Sequence, residues 1–202
     1  MYLSTSQAAR ELGVTARQVR RSAVTGRIVA TRHGFSHAVS SRQVQALART
    51  AHRGRNWSEA VQRAALDLMT CGITSELNGS ERSRLKQRIR EAAVGALAGQ
   101  ILRGHVSLRR AANPEIKRQF MPKLLGELGL SGDGGLCVLV AEDTARAARQ
   151  ARLGLDDSGD IAVVEGEEQH RGALEALALY TFGDARESAA AARWISAAQA
   201  TV

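Results

Sequence analysis

The chain has 202 residues, 44% apolar and 24% charged, which fits one large domain or two or three small ones and excludes collagen-like, low-complexity and wholly disordered chains. Its net charge of +8 is divided unevenly: residues 1–125 hold 22 Lys+Arg against 7 Asp+Glu, net +15, and residues 126–202 hold 6 against 13, net −7. A basic part of that size suits a polyanion such as nucleic acid and an acidic part does not, so the two parts are expected to have different partners.

The first elements are short helices, each opened by a hydroxyl residue with glutamine three positions later: Ser4 with Gln7, Thr15 with Gln18, Ser40 with Gln43. This is the capping-box pattern, in which hydroxyl and glutamine serve each other's backbone amides. Gly13 ends the first helix after Ala8, Ala9 and Leu12, and two short helices joined by a glycine-containing turn make a helix-turn-helix. In the second helix Val19 and Ala23 face inward with Val14, while Arg17, Gln18, Arg20 and Arg21 cover the remaining surface. Gly26 stops it. Ile28–Thr31 leads to Arg32, His33 and Gly34, and Phe35–Val39 returns as the second strand of a hairpin. Ser40 then opens a third helix with Val44 and Leu47 inward.

The run from Leu3 to Val19, followed by Gly26-Arg27-Ile28-Val29-Ala30, resembles the winged helix-turn-helix of excisionase and MerR-type regulators over residues 2–50. The resemblance implies that the second helix enters the major groove and the wing follows the adjacent backbone or minor groove. By position, Thr15, Arg17, Gln18 and Arg21 then face bases or flanking phosphates, with Arg20 at the groove edge and Arg32 and His33 on the wing. Phe35-Ser36-His37 departs from the family, which commonly has further basic residues there. A solvated arginine face on a protein-binding helical module is the alternative, and Gln18 has two candidate roles, capping and base contact.

A polar break at 52–56 ends this first domain, set at 1–55. In the helical middle, 56–125, Ser58 caps a helix ended by Gly72, Asn78-Gly79 marks a turn, and Ser80 opens one longer helix in which Leu85, Ile89, Ala92, Ala93, Leu97 and Ile101 recur at helical spacing. That stripe is read as a core helix or a homodimer seam. Arg82, Arg84, Lys86, Arg88 and Arg90 are either its wet face or additional phosphate contacts.

The acidic region, 126–202, reads as a small α/β unit built for partner binding: a glycine-rich turn to Gly135, a strand at 136–141, a helix at 144–153, a second strand at 161–164, then alanine-rich helices at 170–179 and 185–195. The stretches Asn78–Leu85, Asp157–Val164 and Ala178–Glu187 resemble actinobacterial helix-turn-helix antitoxins paired with nucleotidyltransferase-like toxins. That resemblance implies a basic part that represses the shared operon and an acidic part that holds a basic toxin.

No P-loop, dinucleotide fingerprint, nucleophile elbow or HExxH occurs, and His33, His37, His52, His105 and His170 are scattered. Asp156, Asp157 and Asp160, like Glu165, Glu167 and Glu168, are read as solvated acidic turns, and Cys71 and Cys137 as buried thiols. No catalytic residue, metal site or cofactor is expected. No run approaches the roughly 18 apolar residues of a membrane helix and the start at Met1–Leu3 does not resemble a signal peptide, so the expected location is cytoplasmic, without membrane contact. The fold expected is mainly α (α+β), with an N-terminal winged helix-turn-helix, a helical middle and a small C-terminal α/β region. The expected function is sequence-specific DNA binding as the autorepressing antitoxin of a toxin–antitoxin pair, on double-stranded DNA. The alternatives are an excisionase-like DNA-bending accessory factor and a plain transcription regulator with a ligand-binding or dimerising C-terminal region.

Overall fold

The computed structural model describes residues 2–25, 28–33, 36–51, 55–130 and 135–202. The expected stop at Gly26, the hairpin tip at Gly34, the first residue of its expected second strand, Phe35, part of the expected break at 52–56 and most of the glycine-rich turn at 131–135 lie outside them. Helices and strands are mixed: ten α-helices and two small sheets among the described residues.

The N-terminal part comprises β1 (Tyr2–Ser4), α1 (Thr5–Leu12), α2 (Ala16–Val24), β2 (Ala30–His33), β3 (Ser36–Ser40) and α3 (Ser41–Arg49). The strands form an antiparallel sheet in the order β1-β3-β2, with Leu3 and Ala30 both opposite Val39. Two expected capping boxes form, Ser4 with Gln7 and Thr15 with Gln18. The third does not: Ser40 precedes α3 but its hydroxyl makes no cap bond, because the residue is the last of β3, held opposite Tyr2 and only 2% exposed. Gly13 adopts the left-handed conformation (φ 63°) that ends α1, and the Val14 amide returns to the Ala9 carbonyl at 3.0 Å. Leu3, Ala8, Ala9, Val19, Ile28, Val39 and Val44 close a small core. Val14 and Leu47, expected inward, are 40% and 37% exposed; Val14 follows the reversal at Gly13, and α3 buries Val44 and Ala46.

The remainder contains α4 (Glu59–Cys71), α5 (Gly79–Glu91), α6 (Val94–Ile101), β4 (Val106–Ala111), α7 (Pro114–Arg118), β5 (Cys137–Ala141), α8 (Thr144–Gln150), β6 (Leu153–Leu155), β7 (Ile161–Glu165), α9 (Arg171–Phe182) and α10 (Ala185–Thr201). The sheet order is β5-β7-β4-β6, parallel only between β5 and β7. Its period-two alternation serves two cores. Val138, Val140, Ala162 and Val164 face α9, whereas Cys137, Leu153, Ile161 and Val163 pack with Ala148 of α8 and with Ile116 and Phe120.

The first of these cores also takes Leu68 of α4, Ile89 of α5, Leu97 of α6 and Ile195 of α10, so the expected helical middle and the acidic region share one interior. The middle is not all helical, since β4 lies at the centre of the sheet between β7 and β6. The single helix expected from Ser80 to Ile101 is two. Asn78, not Ser80, caps α5, and Ala92 and Ala93 are extended (ψ 137° and 140°) between α5 and α6. The break is held from α10: the Gln199 amide donates to the Ile89 and Ala92 carbonyls at 2.6 and 2.8 Å, replacing bonds a continuous helix would make. Cys71, expected to be buried, is exposed. Cys137 is buried, and burial pushes its thiol up to about 11.

The two parts meet at α3. The Arg49 guanidinium donates to the carbonyls of Tyr180, Thr181 and Gly183 at 3.2, 3.3 and 2.7 Å, capping the end of α9 from outside the helix. The Tyr180 hydroxyl donates back to the Arg49 carbonyl. A Cβ at Gly95 of α6 would stand 2.0 Å from that same carbonyl, so only glycine permits the approach. Arg42 donates to the Gly159 carbonyl. Arg49→Ala leaves helix-end carbonyls without their charged donor and is expected to lower unfolding stability by about 2 kcal/mol; a denaturant midpoint unchanged from the parent would show that the clamp contributes nothing.

Candidate nucleic-acid interface

The expected reading face lies on α2. Its start is fixed by reciprocal bonds: the Thr15 amide donates to Gln18 Oε1 at 2.8 Å, the Gln18 amide to Thr15 Oγ1 at 3.2 Å, and the Thr15 hydroxyl also to Gln18 Oε1 at 2.9 Å. Of the two roles open to Gln18, capping is the one present: its oxygen already accepts twice, leaving the NH2 group as its donor. Val19 is buried at 1% and anchors the helix, while Arg17, Gln18, Arg20 and Arg21 are exposed. The Arg20 Nε donates to the Ala16 carbonyl at 3.3 Å, along its own helix.

Arg17 and Arg21 lie four apart, so they share one face of α2, with Thr15 at its N-terminal end. Arg32 and His33 occupy β2, opposite His37 and Ser36 of β3; their side chains lie outside the described residues. Hence α2 brings Thr15, Arg17, Gln18, Arg20 and Arg21 together, and the hairpin carries the other two at a separate place in the sheet. On α5, Arg82, Arg84, Arg88 and Arg90 are exposed as expected, with the Arg88 guanidinium 5.2 Å from the centre of the Trp57 ring. Lys86 is half-buried and donates to the Gly72 and Val202 carbonyls.

The acidic turns are not simply solvated. Asp156 accepts from Arg110 Nε at 2.6 Å and from the Ser158 amide, and Asp160 pairs with Lys117 at 2.7 Å. Arg110 beside it is the main cause holding the Asp156 carboxyl down from 3.8 to about 2. Glu168 is likewise held at about 2, chiefly by Arg171 and then Lys123.

A cleft of about 350 Å3 opens between α4, α6 and the residues after β7. Two of the histidines that are scattered in sequence reach it. His105 places Nδ1 3.0 Å from Glu165 Oε2 and Nε2 3.0 Å from Gln62 Oε1. His170, 2% exposed, has Nε2 2.8 Å from Asp67 Oδ1, and Asp67 Oδ2 accepts from the Thr74 hydroxyl at 2.7 Å. Nothing in the sequence spacing marks this convergence, because the partners are 43 to 103 residues apart. No group of three or more His, Cys, Asp or Glu among the described residues is placed to hold a metal ion, and no described helix is long and apolar enough to cross a membrane.

No protein-family model, curated protein or solved structure matches the chain.

Because the Asp156 carboxyl is depressed in the folded state, its pairing stabilises fully above the ordinary value of 3.8 and is lost as pH falls towards 2. The stability difference between the parent and Asp156→Asn, read from urea midpoints, is therefore expected to shrink between about pH 5 and pH 2. A difference constant over that range would remove the pair as a stabilising contact.

Proposed function

We propose that residues 2–50 form a winged helix-turn-helix that reads double-stranded DNA through α2, in a transcription regulator that acts as the autorepressing antitoxin of a toxin–antitoxin pair. The observation that carries the DNA reading is the α2 face. Arginines stand exposed on a helix whose start is locked by the Thr15–Gln18 box and whose buried side is fixed by Val19. Such a face offers planar donors to guanine edges and phosphates, and the rigid cap holds their register on the groove. The hairpin of β2 and β3 follows in the order a wing requires.

The antitoxin role rests on the resemblance of Asn78–Leu85, Asp157–Val164 and Ala178–Glu187 to antitoxins that face nucleotidyltransferase-like toxins. It also fits the division of charge, with the reader basic and residues 126–202 net acidic. The clamp of Arg49 on α9 gives the reader a firm joint to the part that would hold the toxin. The excisionase reading is disfavoured, since such factors are little more than the N-terminal module, whereas here that module is anchored to a larger body through Arg42 and Arg49.

Full-length protein is expected to prefer the DNA upstream of its own gene over scrambled DNA of equal length, and Arg17→Ala or Arg21→Ala is expected to weaken that binding by about 1–3 kcal/mol. Unchanged affinity in both variants would sink α2 as the recognition helix. Replacing Arg82, Arg84 and Arg90 of α5 by Gln is expected to reduce the salt slope by up to about 0.9 for each phosphate no longer neutralised, with sequence preference intact. An altered preference would place those arginines at bases instead.

A further inference from the structure

Most of the acid in residues 126–202 is taken up within the molecule. Asp156, Asp160 and Glu168 pair with Arg110, Lys117 and Arg171. Asp143 and Asp184 cap α8 and α10. Glu175 and Glu187 are buried and accept the backbone amides of Leu124 and Leu136 at 3.0 and 2.8 Å. Apart from Glu127 and Asp157, the carboxylates among the described residues of this region that are bonded to no arginine, lysine or backbone amide collect at one place: Glu142, Glu165, which faces His105, and Glu167, which accepts from Gln169, line the cleft of about 350 Å3, joined there by Glu59 of α4.

The cleft has a definite chemistry. Its rim is anionic on balance, with Glu59, Glu142, Glu165 and Glu167 against one arginine, Arg63, which is bonded to Glu76 at 3.2 Å and also feels Glu167 and Glu59. Its floor is apolar, formed by buried Leu66, Ile101, Leu102 and Leu174. The Glu165 carboxylate is aimed by His105, and that ring is steadied by Gln62, whose own amide donates to the Gln100 carbonyl at 2.7 Å. Phosphate and nucleic acid are repelled by such a rim. A cation on an aliphatic stem fits it, with the stem against the floor and the charge among carboxylates supplied by separate elements. The volume is that of a small-ligand site, too small for a helix.

We propose that this cleft receives an arginine side chain presented by the partner protein. Arginine suits it better than lysine because a planar fork of five donors can engage carboxylates on several sides at once. The proposal deepens the reading of the body as the partner-binding part and rests on it. The net negative charge gathered at the cleft, rather than the total acidity of the region, then selects a basic partner.

The test is NMR on the full chain, titrated with three probes: a capped Ala-Arg-Ala peptide, the same peptide with citrulline in place of arginine, and agmatine. The arginine peptide is expected to shift the side-chain resonances of His105 and Gln62, and the citrulline peptide, which lacks the charge, to leave them unmoved. Glu142→Gln combined with Glu167→Gln is expected to weaken the arginine peptide at least tenfold. An unchanged melting temperature in that variant certifies its fold, and Glu59→Gln supplies an independent second variant expected to weaken binding in the same direction. Equal shifts with citrulline, or none with arginine, would overturn the proposal. Agmatine bound at least tenfold more tightly than the peptide would replace the protein-borne arginine by a free amine as occupant, and so overturn it too. Cleft shifts as expected beside absent DNA preference would instead sink the regulator reading while leaving the cleft's chemistry intact.

Discussion

Helix α9 is the constraint on which the rest depends. Residues Ala173–Leu179 are all buried, so the helix is enclosed all round and every other layer of the body is arranged to cover it. A helix enclosed in this way cannot leave its final carbonyls to water. They are met by Arg49 of α3, which reaches Tyr180, Thr181 and Gly183, and by the Ser188 hydroxyl, which donates to the Tyr180 carbonyl at 2.9 Å. Burial lowers the Arg49 pKa, and Tyr180, Asp184 and Glu187 act against that effect. The same contact that completes α9 therefore ties the N-terminal module to the body, and any movement of the module must reckon with the end of that helix.

The charge division of the chain takes on a different meaning once the contacts are known. A net −7 over residues 126–202 suggests an acidic surface, yet much of it serves the fold: Asp156 and Asp160 bind cations of β4 and α7, and buried Glu187 links the start of α10 to Leu136, the residue before β5. Of the basic residues, those on α2 and most of those on α5 remain exposed, so it is the basic part whose charge is chiefly available to a partner. What acidity remains is concentrated by shape, at the mouth of a cleft with an apolar floor, where Glu59, Glu142 and Glu165 are exposed to a partner and Glu167 is half-buried.

Much of the architecture is legible in the sequence where the signal is local. The Ser4–Gln7 and Thr15–Gln18 boxes, the left-handed Gly13, the strands near 137–141 and 161–165 and the two closing helices follow from caps, turns and periodicity. What escapes is non-local. Strand β4 lies between two partners yet carries Arg109 and Arg110, which break its apolar pattern; the Arg110 side chain turns towards the turn at Asp156 and Ser158. The break at Ala92–Ala93 is invisible in two good helix formers, since a glutamine more than a hundred residues away compensates the missing helical bonds. The cleft escapes for the same reason: His105, Glu165 and Gln62 have no spacing that announces them.

The sequence by itself determines α1 and α2 with their caps, the arginine-rich outer face of α2 and the opposed charges of the two parts, because these depend on residues three or four apart or on composition alone. The tertiary structure alone decides that the middle and the acidic region share one core, that Arg49 closes α9, and that Glu59, Glu142, Glu165 and Glu167 gather in a single cleft with two histidines. Each of those outcomes rests on contacts between residues distant in the chain, where burial and the need to satisfy every buried polar group, rather than local propensity, select the arrangement.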